Sequence, residues 1–240
     1  MVRPLVNRFT NASQVADAAA HELFEFISAR LGSQARVDVA VTGGTVGIAT
    51  LASASKLDFN SLDLSRLHIW WGDERFVELD SPDRNAVQAK NAWLKKLAIP
   101  ESNLHEFPSC SGPLSIDESA VEFAKNFDSL NISFDLMLMG MGPDGHIASL
   151  FPGKTAGESN ASVVAEHDSP KPPPMRLSFS FMTINNAKEI WFTVAGADKA
   201  EAVSVVFGDK PESLPAGRIH GKEKTVWFID QTAGNLVWGC

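Results

Sequence analysis

An acid and an imidazole stand two residues apart in the glycine-rich turn Gly140-Met141-Gly142-Pro143-Asp144-Gly145-His146, directly after the apolar run Leu136-Met137-Leu138-Met139. Glycine lets a backbone turn sharply and come close to a ligand, and a strand behind the turn holds it still, so the pattern predicts a positioned histidine. The same residues also fit an ordinary strand-to-helix turn with a solvated imidazole. A second loop of the same kind favours the chemical reading. Val37-Asp38-Val39-Ala40-Val41 reads as a buried strand, and Thr42-Gly43-Gly44-Thr45-Val46-Gly47 follows it, ahead of a helical run through Ile48, Leu51 and Ala52. Free backbone N–H groups and the positive end of a helix dipole meet at such a junction, which suits a phosphate. Together the two loops predict an anion grip beside a base.

Composition narrows the classes of function. The chain has 240 residues and a hydrophobic fraction of 44%, ordinary for a soluble globular protein, and reads as one domain over 1–240. A formal net charge of −8 argues against nucleic acid or an anionic membrane as partner, both of which favour a basic face. An anionic substrate therefore needs a locally positive pocket. Cys110 and Cys240 fit no metal-ligand spacing and are expected as free thiols in a reducing cytoplasm, with no metal and no cofactor. The first ten residues carry Arg3 and Arg8 but no apolar core, so they do not read as a secretory signal, and no stretch reads as a membrane span.

The elements that must position these loops alternate between strand and helix. Residues 15–31 form an amphipathic helix after the candidate cap Ser13, and 37–41 a strand. Leu67-His68-Ile69-Trp70-Trp71 is an apolar run stopped by Gly72-Asp73-Glu74-Arg75, and 86–97 is a helix ended before Pro100. A helix over 117–130 leads into a strand over 134–139; further strands are expected over 176–181, 189–194 and 225–230, with a helix opening after Ala195-Gly196-Ala197-Asp198-Lys199. The proline-rich 168–174 is a surface loop between strands expected to share one sheet. This alternation predicts an α/β fold, a three-layer sandwich with a mostly parallel, Rossmann-like sheet flanked by helices. Its ligands gather beyond the carboxyl ends of the strands, where the loops at Thr42, Gly72 and Gly140 meet.

Four stretches carry a family resemblance: Thr42-Gly43-Gly44-Thr45, Trp71-Gly72-Asp73-Glu74-Arg75, Gly140 to His146 with Ala148-Ser149-Leu150-Phe151-Pro152-Gly153, and Ala195-Gly196-Ala197-Asp198-Lys199-Ala200. In these the chain resembles the 6-phosphogluconolactonase family, within the glucosamine-6-phosphate deaminase/isomerase superfamily. The resemblance implies hydrolysis of 6-phospho-D-glucono-1,5-lactone to 6-phosphogluconate, the second step of the oxidative pentose phosphate pathway. Opening a lactone with water needs a base and a means of holding the oxyanion. His146 is the natural base, and a nearby helix N-terminus would keep it neutral. Asp144 either orients the ring or caps a following helix. Arg75 either binds a substrate oxygen or the developing negative charge, or pairs with Asp73 or Glu74.

For the phosphate, the backbone of Gly43 and Gly44, the Thr45 hydroxyl, Arg176 and Lys199 are the candidates, because a dianion needs donors from several loops. Lys199 opens a helix, where a cation is misplaced with respect to the dipole unless an anion binds. Asn85 matches a family position near the substrate or serves as an N-cap, and Arg84 reaches either phosphate or solvent. His21, His68, His105, His167 and His220 show no partner pattern. The expected partner is a small sugar-phosphate lactone, with the chain a monomer or weak homo-oligomer. Two other functions compete. The resemblance gives sugar-phosphate deaminases a glutamate five residues after the loop histidine, where this chain has Phe151. A non-catalytic sugar-phosphate sensor would carry a DNA-binding helix-turn-helix and a basic face, and neither is present in the sequence.

Overall fold

The computed structural model describes residues 3–238, so Cys240 lies outside the described residues. In chain order the elements are β1 (Leu5–Phe9), α1 (Ala12–Leu31), β2 (Val37–Val41), α2 (Gly44–Ala54), β3 (Leu67–Trp71), β4 (Asp73–Arg75), α3 (Asn85–Ala92), β5 (Leu104–His105), α4 (Ile116–Ser129), β6 (Leu136–Met139), β7 (Val163–Glu166), β8 (Arg176–Phe179), α5 (Phe181–Asn185), β9 (Glu189–Val194), α6 (Ala200–Val206), β10 (Lys224–Asp230) and α7 (Asn235–Trp238). Seven strands form one parallel sheet in the order β1-β10-β9-β6-β2-β3-β5. The α/β sandwich read from the sequence is what the chain adopts.

Strands buried on both faces should be apolar throughout, and β2, β6 and β9 are buried at every position. α1, α2 and α3 pack together on one face, where the Phe26 ring meets Trp191 at 5.5 Å. On the other face α4 closes an aromatic cluster around Trp70, Phe127, Phe134 and Phe179, and α6 packs through Phe207 on Trp227. Chain order reverses direction at β2: β3 lies on one side and β6 on the other. The carboxyl ends of β2 and β6 are therefore neighbours, and a crevice opens there.

Several elements differ from expectation. Arg176–Phe179 does not join the main sheet but sits in a three-stranded antiparallel sheet, β4-β8-β7. The connection between β7 and β8 is too short for the crossover that parallel strands need, so the two pair as a hairpin. Asp73-Glu74-Arg75, expected to stop the apolar run 67–71, forms the third member. Asn11, rather than Ser13, caps α1 by accepting from the Gln14 N–H at 3.0 Å. The helix expected over 86–97 ends at Ala92, and a 3-10 turn, Leu94–Lys96, completes it beyond the buried Trp93. Among the described residues, no helix is long and apolar enough to cross a membrane.

Candidate active site

The loops after β2 and β6 lie side by side, with the Gly140 N–H 3.4 Å from the Thr42 hydroxyl. Between them opens a cavity of about 560 Å³, lined by Gly43, Gly44, Thr45, Arg75, Asn85, His146, Arg176 and Lys199. Asp144 stands behind the imidazole rather than in the lining. Residues drawn from six separate stretches of sequence thus converge.

The histidine loop is a tight, internally bonded turn. Gly142 N–H donates to the His146 carbonyl at 2.9 Å, Gly145 N–H to the Gly142 carbonyl at 3.0 Å, and the Gly145 carbonyl accepts from Ala216 at 3.0 Å. The imidazole folds back over Gly142. A Cβ at that position would lie 2.0 Å from both Cε1 and Nδ1 of His146, so only glycine admits the ring. Nδ1 is hydrogen-bonded to the Asp144 carboxylate, which leaves Nε2 for the cavity. Residues 147–150 form a bridged turn and not a helix, so Asp144 has no helix to cap and faces the ring instead.

Burial pushes the His146 pKa below its ordinary value; Asp144 opposes it, Lys171 reinforces it and Asp73 opposes it. Burial would raise the Asp144 carboxyl, but the hydrogen bond and charge of His146 outweigh it and hold that pKa low.

Across the crevice, α2 begins at Gly44 with no side chain capping its first N–H groups, and these open into the cavity. A Cβ on Gly43 would fall 2.0 Å from Asn85 Oδ1, so this glycine too is required by a close approach. Asn85 is the first residue of α3 and not its cap. Glu74 takes that role, accepting from the N–H groups of Asn85 at 2.7 Å and Ala86 at 2.9 Å, while burial pushes its own pKa up. The Asn85 amide donates to the Asp73 carbonyl at 2.9 Å, leaving Oδ1 without a protein partner.

The cations are differently engaged. Arg75 pairs with neither Asp73 nor Glu74 through its guanidinium; Nη1 donates to the Asp83 carbonyl. It stands directly opposite Arg176 in the β4–β8 ladder, a like-charge pairing that opposes stability unless an anion lies nearby. Arg176 is buried, and it donates from Nε to the Pro173 carbonyl at 3.1 Å and from Nη2 to the Lys171 carbonyl at 2.9 Å. Those groups hold the proline-rich loop, so Arg176 is less free for phosphate than the sequence implied. Lys199 lines the cavity with its ammonium 2.8 Å from Asp198. Arg84 reaches neither phosphate nor solvent: it is wholly buried, bonded to the Phe107 carbonyl at 2.7 Å beside Glu74 and Glu106. His68 and His105, for which no partner was expected, contact each other at 2.9 Å. His167 meets Asp117 at 2.9 Å.

Sequence reasoning missed Asp73 and Lys171 as cavity residues. Asp73 accepts from the Ser149 hydroxyl at 2.6 Å and lay in view only as a partner for Arg75. Lys171 had a usable signal, a cation set between Pro170 and Pro172. Among the described residues, no three His, Cys, Asp or Glu side chains are grouped so as to hold a metal ion.

Residues 10–227 match the model of the family described as glucosamine-6-phosphate isomerases/6-phosphogluconolactonase. The chain belongs to this family. It is 35% identical to a 6-phosphogluconolactonase of Mycobacterium leprae over 98% of each chain. It is also 35% identical to a 6-phosphogluconolactonase of Streptomyces coelicolor, over 93% of this chain and 90% of the relative. Among solved structures, 6-phosphogluconolactonase from Thermotoga maritima superposes with a TM-score of 0.85 at 25% identity, covering 95% of this chain and 100% of the other. The family's two named activities share a fold, so the side chains of the crevice must distinguish them.

Proposed function

We propose that this chain is a 6-phosphogluconolactonase that hydrolyses 6-phospho-D-glucono-1,5-lactone with His146 as general base. The observation that carries the reading is the His146–Asp144 pair, set on the loop adjacent to an uncapped helix N-terminus. Asp144 accepts from Nδ1–H, so Nε2 carries the lone pair. It removes a proton from water while the water oxygen bonds to the lactone carbonyl carbon and the C=O π pair moves onto oxygen. Collapse of that intermediate breaks the ring C–O bond, and the departing oxygen takes the proton back from the imidazolium. The phosphate is held by the N–H groups of Gly43 and Gly44, the Thr45 hydroxyl and Lys199; Arg75 and Asn85 meet substrate oxygens, and Arg176 lies behind them.

Deamination is the poorer reading. Phe151 occupies the position that the resemblance assigns to a glutamate, and its ring packs 4.7 Å from the imidazole, giving an apolar wall where a ring-opening acid would be needed. We further read the chain as one domain acting in the cytoplasm, as a monomer or weak homo-oligomer without nucleic acid; the free thiol of Cys110 and the charge of −8 support this.

His146→Ala tests the proposal. It should lower kcat by about 10²–10⁴-fold, measured above spontaneous hydrolysis, with the circular-dichroism melt unchanged. Wild-type turnover in that variant would remove His146 from the chemistry. Ammonia release from glucosamine 6-phosphate by the wild type would favour the deaminase instead.

A further inference from the structure

Each cation already placed in the cavity has an internal partner: Arg75 bonds to the Asp83 carbonyl, Arg176 to the loop carbonyls, and Lys199 to Asp198. Lys171 has none. Among the described residues, its ammonium makes no ion pair or hydrogen bond, although it lines the same cavity as His146. Its backbone, by contrast, is firmly held. The Lys171 carbonyl accepts from Arg176 Nη2 at 2.9 Å and from the Ser169 hydroxyl at 3.0 Å, and its N–H donates to Ser169 Oγ at 3.2 Å. Ser169 N–H donates to the Pro174 carbonyl at 3.0 Å, closing the loop on itself, and Lys154 anchors its start through the Asp168 carbonyl at 2.7 Å. Prolines on either side restrict the backbone further. A long cationic side chain is thus displayed from a rigid base, its ammonium in the field of Asp144 and Asp198, which favour its charge, and of Lys199 and Arg176, which oppose it, but bonded to none of them.

We propose that Lys171 is the cation that meets the lactone carbonyl oxygen as it turns negative, and that Arg176 is the positioning residue that holds Lys171 there. The proposal rests on the lactonase reading above. Backbone donors of the histidine loop are poor alternatives, since Gly142 N–H is already given to the His146 carbonyl and Gly140 N–H faces Thr42. A preformed positive charge aimed at a developing oxyanion acts in the transition state more than in the ground state. The charge of Lys171 also reaches the catalytic pair. The groups acting on the imidazole are Asp144 and Asp73, which favour its protonated form, and Lys171, which with burial disfavours it.

Lys171→Met tests this with two readings. In steady-state hydrolysis, kcat should fall about 10²-fold with KM changed less than twofold, and Lys171→Arg should recover most of the loss. Arg176→Met should lower kcat in the same sense. In proton NMR, the His146 Cε1–H titration should move to higher pH in Lys171→Met, because a repelling charge has gone. Lys199→Ala supplies the contrast, raising KM chiefly. A rise in KM with unchanged kcat in Lys171→Met would make Lys171 a phosphate ligand or a solvated residue and overturn the proposal. So would an unmoved His146 titration. The NMR arm needs no turnover, so absence of lactonase activity in the wild type would defeat the functional reading separately.

Discussion

In the proposed role His146 would act as a base while buried beside an acid, and the two influences on its pKa act in opposite directions. Burial disfavours the imidazolium and keeps Nε2 unprotonated near neutrality, whereas Asp144 favours the imidazolium that forms once water has given up its proton. The carboxylate also fixes the tautomer, since only Nδ1–H can face it. Asp144→Asn removes both services. An amide can turn its NH₂ toward Nδ1 and leave the proton on Nε2, the wrong nitrogen, so kcat should fall by about 10³–10⁴-fold. The sign of the pH effect follows from the lost charge: with nothing to stabilise the imidazolium, the His146 pKa drops and the acid limb of kcat/KM moves to lower pH. Lys171→Met moves it the other way. A pH profile of Asp144→Asn whose acid limb shifts upward would mean that Asp144 does not act on His146 by charge.

At the scale of elements, two strand ends do the positioning, and glycine is what lets them. Gly142→Ala would drive a Cβ into the imidazole at 2.0 Å, which the ring can relieve only by swinging away from Asp144. Activity should fall about 10²-fold or more while the melting temperature moves by only a few degrees, because the loop lies outside the packed sheet. Near-normal kcat in that variant would show that the bent-back ring is not the working conformation. Much of this was legible in sequence for a physical reason. Leu136–Met139 is an uninterrupted apolar run and Val37–Val41 is broken only by Asp38, a pattern that marks strands covered on both faces, and a glycine-rich break after such a run reads as a loop at the sheet edge. The small sheet was not legible. Asp73–Arg75 is polar throughout and becomes a strand only because Arg176–Phe179, a hundred residues later, pairs with it. Leu104–His105 is too short to carry any period. Arg84 was expected to reach phosphate or solvent because Glu74 and Glu106, which make its burial tolerable, are brought to it only by tertiary packing. Lys171 was passed over because proline was read as a breaker of structure rather than as a way of fixing a neighbour.

Taken as a whole, the molecule concentrates its chemistry beyond the carboxyl ends of the strands and binds its amino ends together with a polar network. Trp70 Nε1 donates to Asp38 at 2.9 Å, Arg36 chelates Asp38 at 2.7 and 2.8 Å, and Asp135 accepts from the Asp38 N–H at 2.9 Å and from Lys188 at 2.7 Å, linking β2, β3, β6 and the approach to β9. On this network lie His68 and His105, with the His105 ring stacked on Trp70 at 3.8 Å. Burial, then the neighbouring His68 and Arg36, push His105 down to about 4, and burial lowers His68 as well. One imidazole can donate to the other only while they are not both charged. The unfolded chain takes up these protons near pH 6.5, the folded chain only near pH 4 for His105, so between those values the unfolded state binds more protons and stability falls as pH falls. Each such proton can tilt the unfolding free energy by at most about 1.4 kcal/mol per pH unit. His105→Phe keeps a ring against Trp70 and removes the titration. Its urea midpoint should decline less steeply from pH 6.5 to 4.5 than that of the wild type, and equal slopes would place the acid sensitivity of the fold elsewhere. The strand end that stabilises the sheet and the strand end that handles the substrate would then respond to acid for different reasons: one by losing a neutral pair that packing requires, the other by losing a neutral base that the chemistry requires.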